Sequence, residues 1–171
     1  SGNVRNCNFT NNTAIMGGAV YFKNEGAFSD CIFTNNYAIY GGALYAEKNL
    51  NVKDCKFYNN RALYDGGAIN FEDYGNVVGC EFNNNIVTKG NGGAVYMDSG
   101  SVTSSSFSGN NATAGSAIYF SNSNSKTNNT ISNSIFLDNR ADVDTYNPLQ
   151  VTLNDNKIEI IFSGQINLMN A

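Results

Sequence analysis

Apolar and polar positions along the chain repeat with a period of 24 to 29 residues. A Phe sets the register of the repeat units, at Phe9, Phe33, Phe57, Phe82, Phe107 and Phe136. Five residues before each Phe stands an apolar residue: Val4, Phe28, Val52, Val77, Val102 and Ile131. Three residues after each Phe stands an Asn: Asn12, Asn36, Asn60, Asn85, Asn110 and Asn139. Matches at so many fixed offsets indicate a structural repeat.

A second block of small residues follows the Asn in each of the first five units. It reads Gly-Gly-Ala and an aliphatic residue at 17–20, 41–44, 66–69 and 92–95, and Gly-Ser-Ala-Ile at 115–118. Gly-Gly and Asn-Asn in every unit disfavour helix, whereas β-branched and aromatic residues favour strands. Leucine-rich repeats have a similar period, but their L-x-x-L-x-L signature is absent.

The repeat predicts an all-β fold, a single-stranded parallel β-helix in which each unit is one coil. Residues 1–141 would form about six coils of 24–29 residues. Parallel strands lie about 4.8 Å apart, so the stack would be a rod roughly 30 Å long. Equivalent side chains of successive coils would then form columns.

The alignment of equivalent side chains predicts a structural role for each recurring position of the repeat. An inward Asn would hydrogen-bond the backbone of its own turn and the Asn of the next coil. Gly-Gly suits a corner that needs positive φ or a close backbone approach. The aliphatic residue after Gly-Gly-Ala, and the residue two positions further on, would point into the core: Val20, Leu44, Ile69, Val95 and Ile118, with Phe22, Phe71, Met97 and Phe120.

The pattern changes in two places. Residues 121–130, "SNSNSKTNNT", lengthen the fifth coil and predict a polar protruding loop. After Ala141 the Gly-Gly block disappears, and 142–171 alternates as strands around Val151, Ile160 and Ile166. We expect one or two irregular coils that cap the stack, or alternatively the start of another module. The N-terminal end shows no cap, so we expect further coils upstream or end-to-end contacts between otherwise monomeric chains.

Composition narrows the range of partners. A net charge of −4, with 14% charged residues, gives no reason to expect a nucleic-acid partner. The chain has 31 Asn, 17 Gly and one Pro, and its 12% aromatic content predicts an ordered protein. No apolar run approaches the length of a membrane-spanning helix, so we expect no membrane insertion by these residues. The start in mid-pattern, "SGNVRNC", is typical of an excised or processed piece.

Four Cys occupy one offset, two residues before the Phe: Cys7, Cys31, Cys55 and Cys80, with Ser105 and Ser134 in the last two units. A column of parallel side chains cannot converge on a tetrahedral zinc ion, and it is poorly oriented for disulfides. We expect free thiols that act as small apolar fillers, for which Ser is a substitute of similar volume.

The sequence offers little for catalysis. Histidine is absent, which removes the usual general base. Among the acidic residues, Glu47, Glu72, Asp73 and Asp98 each follow the Gly-Gly-Ala block closely and could line one edge. That edge would be simply solvated, or would bind calcium weakly. We expect no enzyme activity, no cofactor and no other metal.

Tyrosines are the candidate ligand-binding residues. Tyr21, Tyr45, Tyr96 and Tyr119 share one offset, where Asn70 is the exception, which predicts an outward column; Tyr40 and Tyr64 precede Gly pairs and would sit at the adjacent corner. A flat aromatic stripe suits contact with a sugar or a protein. Alternatively, the stacked rings only stabilise the ladder.

Sequons at Asn8, Asn11, Asn111 and Asn128 could carry glycans, and Asn128 would be the most accessible.

The motifs FxxN and GGA[IVL] resemble the polymorphic outer-membrane protein repeats first described in chlamydiae. FxxN occurs six times, as FTNN, FTNN, FYNN, FNNN, FSGN and FLDN, and the likeness covers residues 4 to about 141. Similar Asn-rich repeats occur in adhesin-like surface proteins of methanogenic archaea and some bacteria, and the high Asn content and the C-terminal tail look closer to the archaeal group. The resemblance implies a right-handed β-helix in an extracellular cell-surface protein, and it supplies no catalytic residues.

We therefore expect a segment of a cell-surface adhesin, with a glycan or a surface protein of another cell as its partner. Two alternatives stay open at this point. One is a passive stalk that spaces a binding module from the cell. The other is a polysaccharide lyase or hydrolase, as some β-helix proteins are.

Overall fold

The computed structural model describes residues 2–121, 129–141 and 162–163. Within these residues every regular element is a β-strand. The described part of the chain contains no helix long and apolar enough to cross a membrane. The expected all-β class is confirmed.

The strands form three parallel sheets. Sheet 1 has nine described strands: Gly2–Arg5, Val20–Phe22, Gly26–Ser29, Leu44–Ala46, Leu50–Lys53, Ile69–Val78, Val95–Thr103, Ile118–Phe120 and Thr130–Ser132. Sheet 2 has seven described strands: Asn8–Thr10, Ile32–Thr34, Lys56–Tyr58, Glu81–Asn83, Ser106–Ser108, Ile135–Leu137 and Phe162–Ser163. Sheet 3 has five described strands: Tyr37–Ala38, Arg61–Ala62, Ile86–Val87, Asn111–Ala112 and Arg140–Ala141.

Each strand pairs with its equivalent one repeat further along the chain. Phe9 pairs with Phe33, and Phe33 pairs in turn with Phe57. The longer fifth unit keeps the same register, because Phe107 pairs with Phe136. The described residues thus form about five turns of a parallel β-solenoid and the beginning of a sixth, as the period predicts.

The core is a set of apolar columns that run along the rod. The Phe rings of sheet 2 stack with centroids 4.7–5.0 Å apart and planes within 8° of parallel, from Phe9 to Phe136. The four rings from Phe33 to Phe107 are fully buried. Burial of one such ring contributes roughly 2–3 kcal/mol to stability, and the repeat places one in every coil.

The Asn residues three positions after each Phe form a buried hydrogen-bonded ladder. Asn36 donates from its backbone N–H and from Nδ2 to Oδ1 of Asn60, at 3.0 and 2.9 Å. Nδ2 of Asn60 also donates to the carbonyl of Phe33, at 3.0 Å. The expected bond between neighbouring Asn side chains is confirmed. The expected bond to the backbone of the same turn is wrong, because each side chain bonds to the turn of the preceding coil.

The residue immediately before each ladder Asn adopts a left-handed backbone conformation. Asn11, Asn35, Asn59 and Asn84 have φ between 54° and 58°, in the left-handed region, and Gly109 and Asp138 follow the same rule. Asn and Asp tolerate this region better than other residues with a side chain, because their short polar side chains bond locally. The repeated Asn-Asn therefore combines a left-handed turn residue with an inward ladder residue.

The two glycines of each pair are required for different reasons. Gly41 has a φ of 62°, which a side chain would strain. Gly42 does not have a positive φ, but a Cβ there would overlap the carbonyl oxygen of Gly67 in the next coil. Both of the predicted explanations for Gly-Gly thus apply, one to each residue.

The Cys column is free of disulfides, as expected, but it is not merely apolar filler. Sγ of Cys55 donates to the carbonyl of Lys53 at 3.2 Å and accepts the backbone N–H of Cys31 at 3.5 Å. Ser105 makes the same two bonds through Oγ, to the carbonyl of Thr103 and from the N–H of Cys80. Ser therefore replaces Cys because it preserves the hydrogen bonds as well as the volume.

Two of the predicted irregular segments lie mostly outside the described residues. Of the proposed loop at 121–130, residues 122–128 are not described. Of the proposed cap at 142–171, the described part is the backbone of Phe162–Ser163, which pairs in parallel with Phe136 and Leu137. The boundary at residue 141 stays a prediction.

Candidate functional site

The first column of candidate tyrosines lies on the outer side of sheet 1. Strand pairing aligns Tyr21 with Tyr45, and Tyr45 with Asn70. Tyr96 and Tyr119 continue the column on the other side of Asn70. The predicted alignment is confirmed. The rings stack in two separate pairs, with centroids 5.6 Å apart for Tyr21 and Tyr45 and 5.5 Å for Tyr96 and Tyr119.

This column is not the flat exposed stripe that the sequence predicts. Tyr21 is exposed, but Tyr45 is only 7% exposed and Asn70 only 2%. The Asn that interrupts this outward column is itself covered, as is Tyr45 beside it. The column therefore serves in part as packing between coils.

Carboxylates of the following coil hold the hydroxyls of the first two rings. Tyr45 donates to Oε1 of Glu72 at 2.6 Å, and Tyr21 donates to Glu47 in the same way. Burial raises the pKa of Tyr45, and the hydrogen bond to Glu72 raises it further. Two of the acidic residues expected on a solvated edge thus have structural partners.

The other two acidic residues of the expected edge, Asp98 and Asp73, differ in their exposure. Asp98 is buried and accepts a hydrogen bond from the hydroxyl of Ser121 at 2.8 Å, so a solvated role is wrong for it, whereas Asp73 is exposed. Among residues 2–121 and 129–141, no three His, Cys, Asp or Glu side chains are grouped so that they could hold a metal ion. Calcium binding stays a prediction.

Asn70 interrupts the column and carries an unsatisfied group. Its Oδ1 is buried and has no hydrogen-bond partner. Neighbouring strands place Tyr45 on one side of it and Tyr96 on the other. A buried acceptor without a donor costs about 1–3 kcal/mol, so this position is a local weakness in the stack.

The second pair of candidate tyrosines lies at the corner after sheet 3. Tyr40 and Tyr64 stack with centroids 5.4 Å apart, and Tyr40 also bridges to Met16 of the first coil. Tyr64 is 39% exposed. Exposed aromatic surface is therefore found at this corner as well as at Tyr21 in the first column.

Aliphatic residues extend this aromatic surface. Ile15 is 69% exposed, and Ile39 and Leu63 follow it in the next two coils. We call the whole set the apolar corner: Ile15, Met16, Ile39, Tyr40, Leu63 and Tyr64. It forms two columns over three coils, with about 4.8 Å between rungs. Contiguous exposed apolar surface of this kind marks interaction sites.

The apolar corner ends at the fourth coil, where polar residues take the same two positions. The backbone N–H of Thr88 donates to the carbonyl of Ala62, and that of Lys89 donates to the carbonyl of Leu63. In a parallel ladder this aligns Thr88 with Leu63 and Lys89 with Tyr64. Both polar residues are exposed.

Sequence reasoning found the two tyrosines of the corner but missed its aliphatic members. The signal was present at six and seven residues after the Phe. These offsets hold Ile15 and Met16 in the first unit and Ile39 in the second, then become Thr88 and Lys89 in the fourth. The change from apolar to polar at one offset was the sign of a bounded surface.

The sequons fall at positions of different accessibility. Asn8 and Asn11 are exposed, whereas Asn111 is half-buried. Asn128 lies outside the described residues. Glycosylation at any of them stays a prediction.

Comparison with known proteins matches four of the coils to one family. The family model of the Chlamydia polymorphic membrane protein repeat matches residues 6–23, 30–47, 54–72 and 79–98. Each match contains one FxxN motif and the Gly-Gly-Ala block that follows it. No curated protein and no solved structure shows significant similarity to the chain. The expected closeness to archaeal adhesin-like proteins stays a prediction.

Proposed function

We propose that the chain is a segment of an extracellular cell-surface adhesin that contacts another cell through the apolar corner. The partner would be a glycan or a surface protein of that cell. The matched repeats support a surface location, because they are those of a membrane protein family. The proposal includes no catalytic step and no cofactor.

The observation that carries the proposal is the exposure of the corner. Ile15 is 69% exposed and Met16 and Tyr64 are each 39% exposed, whereas the other three residues of the apolar corner are half-buried. Aromatic residues and Met are enriched in the centres of protein interfaces, and charged residues are depleted there. A surface of six side chains is smaller than a standard protein interface, so we expect one copy of the chain to bind weakly. Many copies presented together would bind more strongly through multivalency.

The test is binding of the fluorescently labelled chain to epithelial and microbial cells, measured by flow cytometry. The corner variant carries Ile15→Ser, Met16→Ser and Tyr40→Ser. We expect it to lose most of the bound signal while it keeps the circular dichroism spectrum and melting temperature of the wild type within a few degrees.

A matched control carries Ile32→Ser and Ile135→Ser, two exposed aliphatic residues on sheet 2. We expect the control to bind as the wild type does. Equal binding by the corner variant and the wild type would contradict the proposed contact surface.

A passive stalk is the second candidate function, and one observation favours it. The buried polar side chains at the rungs are used to hold adjacent coils together: Asn60 bonds to both neighbouring coils, and Cys55 accepts from one of them. Such a ladder suits a stiff spacer that needs no ligand. Wild-type chain that binds none of the cell types would favour the stalk.

A further inference from the structure

We infer that Tyr64, Arg61, Thr88 and Lys89 form a subsite for a pyranose that bears a carboxylate, such as a uronic acid residue of a surface glycan. The inference rests on the proposed function, since it names the ligand chemistry at one end of the apolar corner. Two independent features meet there, an aromatic ring and a pair of cations.

The first feature is the ring of Tyr64, at which the aromatic column ends. Tyr40 stacks on Tyr64 from the preceding coil, and no other ring among the described residues does so. The next coil contributes Lys89 at this position instead of an aromatic residue, as the backbone bond to Leu63 shows. Tyr64 is 39% exposed, and this exposed surface can pack against the apolar C–H face of a sugar ring.

The second feature is a pair of cations at the same edge. Nε and Nη2 of Arg61 donate to Oγ1 of Thr88, at 3.3 and 3.2 Å. Thr88 directly precedes Lys89, and Arg61, Thr88 and Lys89 are all exposed at this edge. Neither cation forms an ion pair within the described part of the chain. Arg and Lys bind carboxylates through charge-assisted hydrogen bonds, and the Thr hydroxyl adds a polar contact.

Asp65, the nearby acidic residue, forms no ion pair with either cation in the described part of the chain. Oδ1 of Asp65 accepts the backbone N–H of Asn91 at 2.9 Å, so this carboxylate has a partner other than the two cations. The combination of an exposed ring and two cations without an ion pair matches a ligand that has both an apolar face and a negative charge. A neutral sugar would leave the cations without a partner, and an acidic peptide would not require the ring.

The experiment is a ¹H–¹⁵N NMR titration of the chain with methyl β-D-glucuronide, with methyl β-D-glucoside as the matched neutral probe and poly-L-glutamate as the acidic peptide. We expect shifts centred on the amides of Tyr64, Thr88 and Lys89, with a dissociation constant on the order of 1 mM, as expected for one small ligand. The glucoside should bind at least about tenfold more weakly, and added salt should weaken glucuronide binding because the contact is exposed.

Variants separate the contributions of the ring and the cations. Tyr64→Ala and Lys89→Gln should each weaken glucuronide binding by roughly three- to tenfold. The controls are Tyr21→Ala, which removes an exposed tyrosine of the other column, and Lys48→Gln, which removes an exposed cation elsewhere. Neither control should change binding.

Three results would overturn the subsite. They are no shifts at 50 mM glucuronide, equal binding of glucuronide and glucoside, and equal binding of glucuronide by the Tyr64→Ala variant. Saturable binding of poly-L-glutamate that survives Tyr64→Ala would assign the cations to an acidic protein and would also overturn it. If the subsite fails while the corner variant still loses cell binding, only the ligand is wrong. If the corner variant keeps cell binding, the proposed contact surface fails as well.

Discussion

Asn60 and Asn85 are joined across two coils by a pair of hydrogen bonds to one oxygen. The backbone N–H and Nδ2 of Asn60 both donate to Oδ1 of Asn85, at 3.0 and 3.1 Å. Both residues are fully buried. The bond satisfies a turn N–H that no water can reach, so each coil depends on the next for its own polar groups.

We predict that Asn60→Ala destabilises the chain by about 3–5 kcal/mol. The substitution leaves the N–H of Asn36, the carbonyl of Phe33 and Oδ1 of Asn85 with fewer partners inside the core. Urea unfolding followed by circular dichroism measures the loss. Asn49→Ala, at an exposed position, is the control and should cost less than about 0.5 kcal/mol.

We predict that the residue before the ladder Asn responds to backbone conformation rather than to burial. Asn59 has a φ of 55°, and Gly109 occupies the equivalent position with a φ of 64°. Asn59→Gly should therefore be nearly neutral, whereas Asn59→Val should cost about 1–2 kcal/mol. Thermal melts of the two variants test this. An equal loss from both would show that the side chain, not the positive φ, matters.

We predict that alkaline pH loosens the contacts between coils. The hydroxyl of Tyr58 donates to Glu81 at 2.7 Å, and burial, followed by this bond, raises the pKa of Tyr58 to about 12 from 10.0. Above pH 10 the unfolded chain releases this proton while the folded chain keeps it. The stabilisation is therefore complete below pH 10 and is lost as the pH rises toward 12.

The measurement is the free energy of unfolding in urea at half-unit steps from pH 9 to pH 11.5. Tyr58→Phe should make the decline with pH shallower, since one of the titrating groups is gone. Thr34→Ala, in the strand that pairs with that of Tyr58, removes no titrating group and should leave the slope unchanged. A wild-type stability that does not fall over this range would contradict the role of the tyrosine–carboxylate bonds.

We predict that Asn70→Leu stabilises the chain by about 1 kcal/mol. The two side chains have similar shapes, and Leu removes the buried Oδ1 that has no donor. Asn70→Asp should have the opposite effect, because it places a charge at the same buried position. Denaturant melts of the pair provide the test. A loss of stability with Leu would contradict the account of Oδ1 as an unpaired buried acceptor.

The sequence predicts the columns well for a physical reason. Each coil packs on its neighbours, so the same type of residue is required at the same offset in every unit. Phe57, Asn60 and Gly66 are therefore recognisable without any structure. Even here the period shows which residues align but not which atoms bond, and the ladder Asn bonds to the preceding coil rather than to its own turn.

The burial of tyrosines in the first column could not be predicted in the same way. Tyr45 is covered, and its hydroxyl is bonded to Glu72 of the next coil. Carboxylates recur at that offset, as Glu47, Glu72 and Asp98, but the period does not show whether they face solvent or a tyrosine. The apolar corner escaped notice for a different reason, since its aliphatic members resemble core residues. The change to Thr88 and Lys89 in the fourth unit indicates where this surface ends, and the 69% exposure of Ile15 shows that these residues are not core.

The most direct test of the stacked ladder is a NOESY spectrum of the chain in solution, edited by ¹⁵N for the amides and by ¹³C for the aromatic rings. The account predicts cross-peaks from the side-chain amide protons of Asn60 to the backbone amide proton of Asn36, and between the rings of Phe33 and Phe57, whose centroids lie 4.7 Å apart. Both pairs are 24 residues apart in the sequence. Spectra that lack these contacts and show instead contacts between residues three or four apart would contradict the solenoid and every surface derived from it.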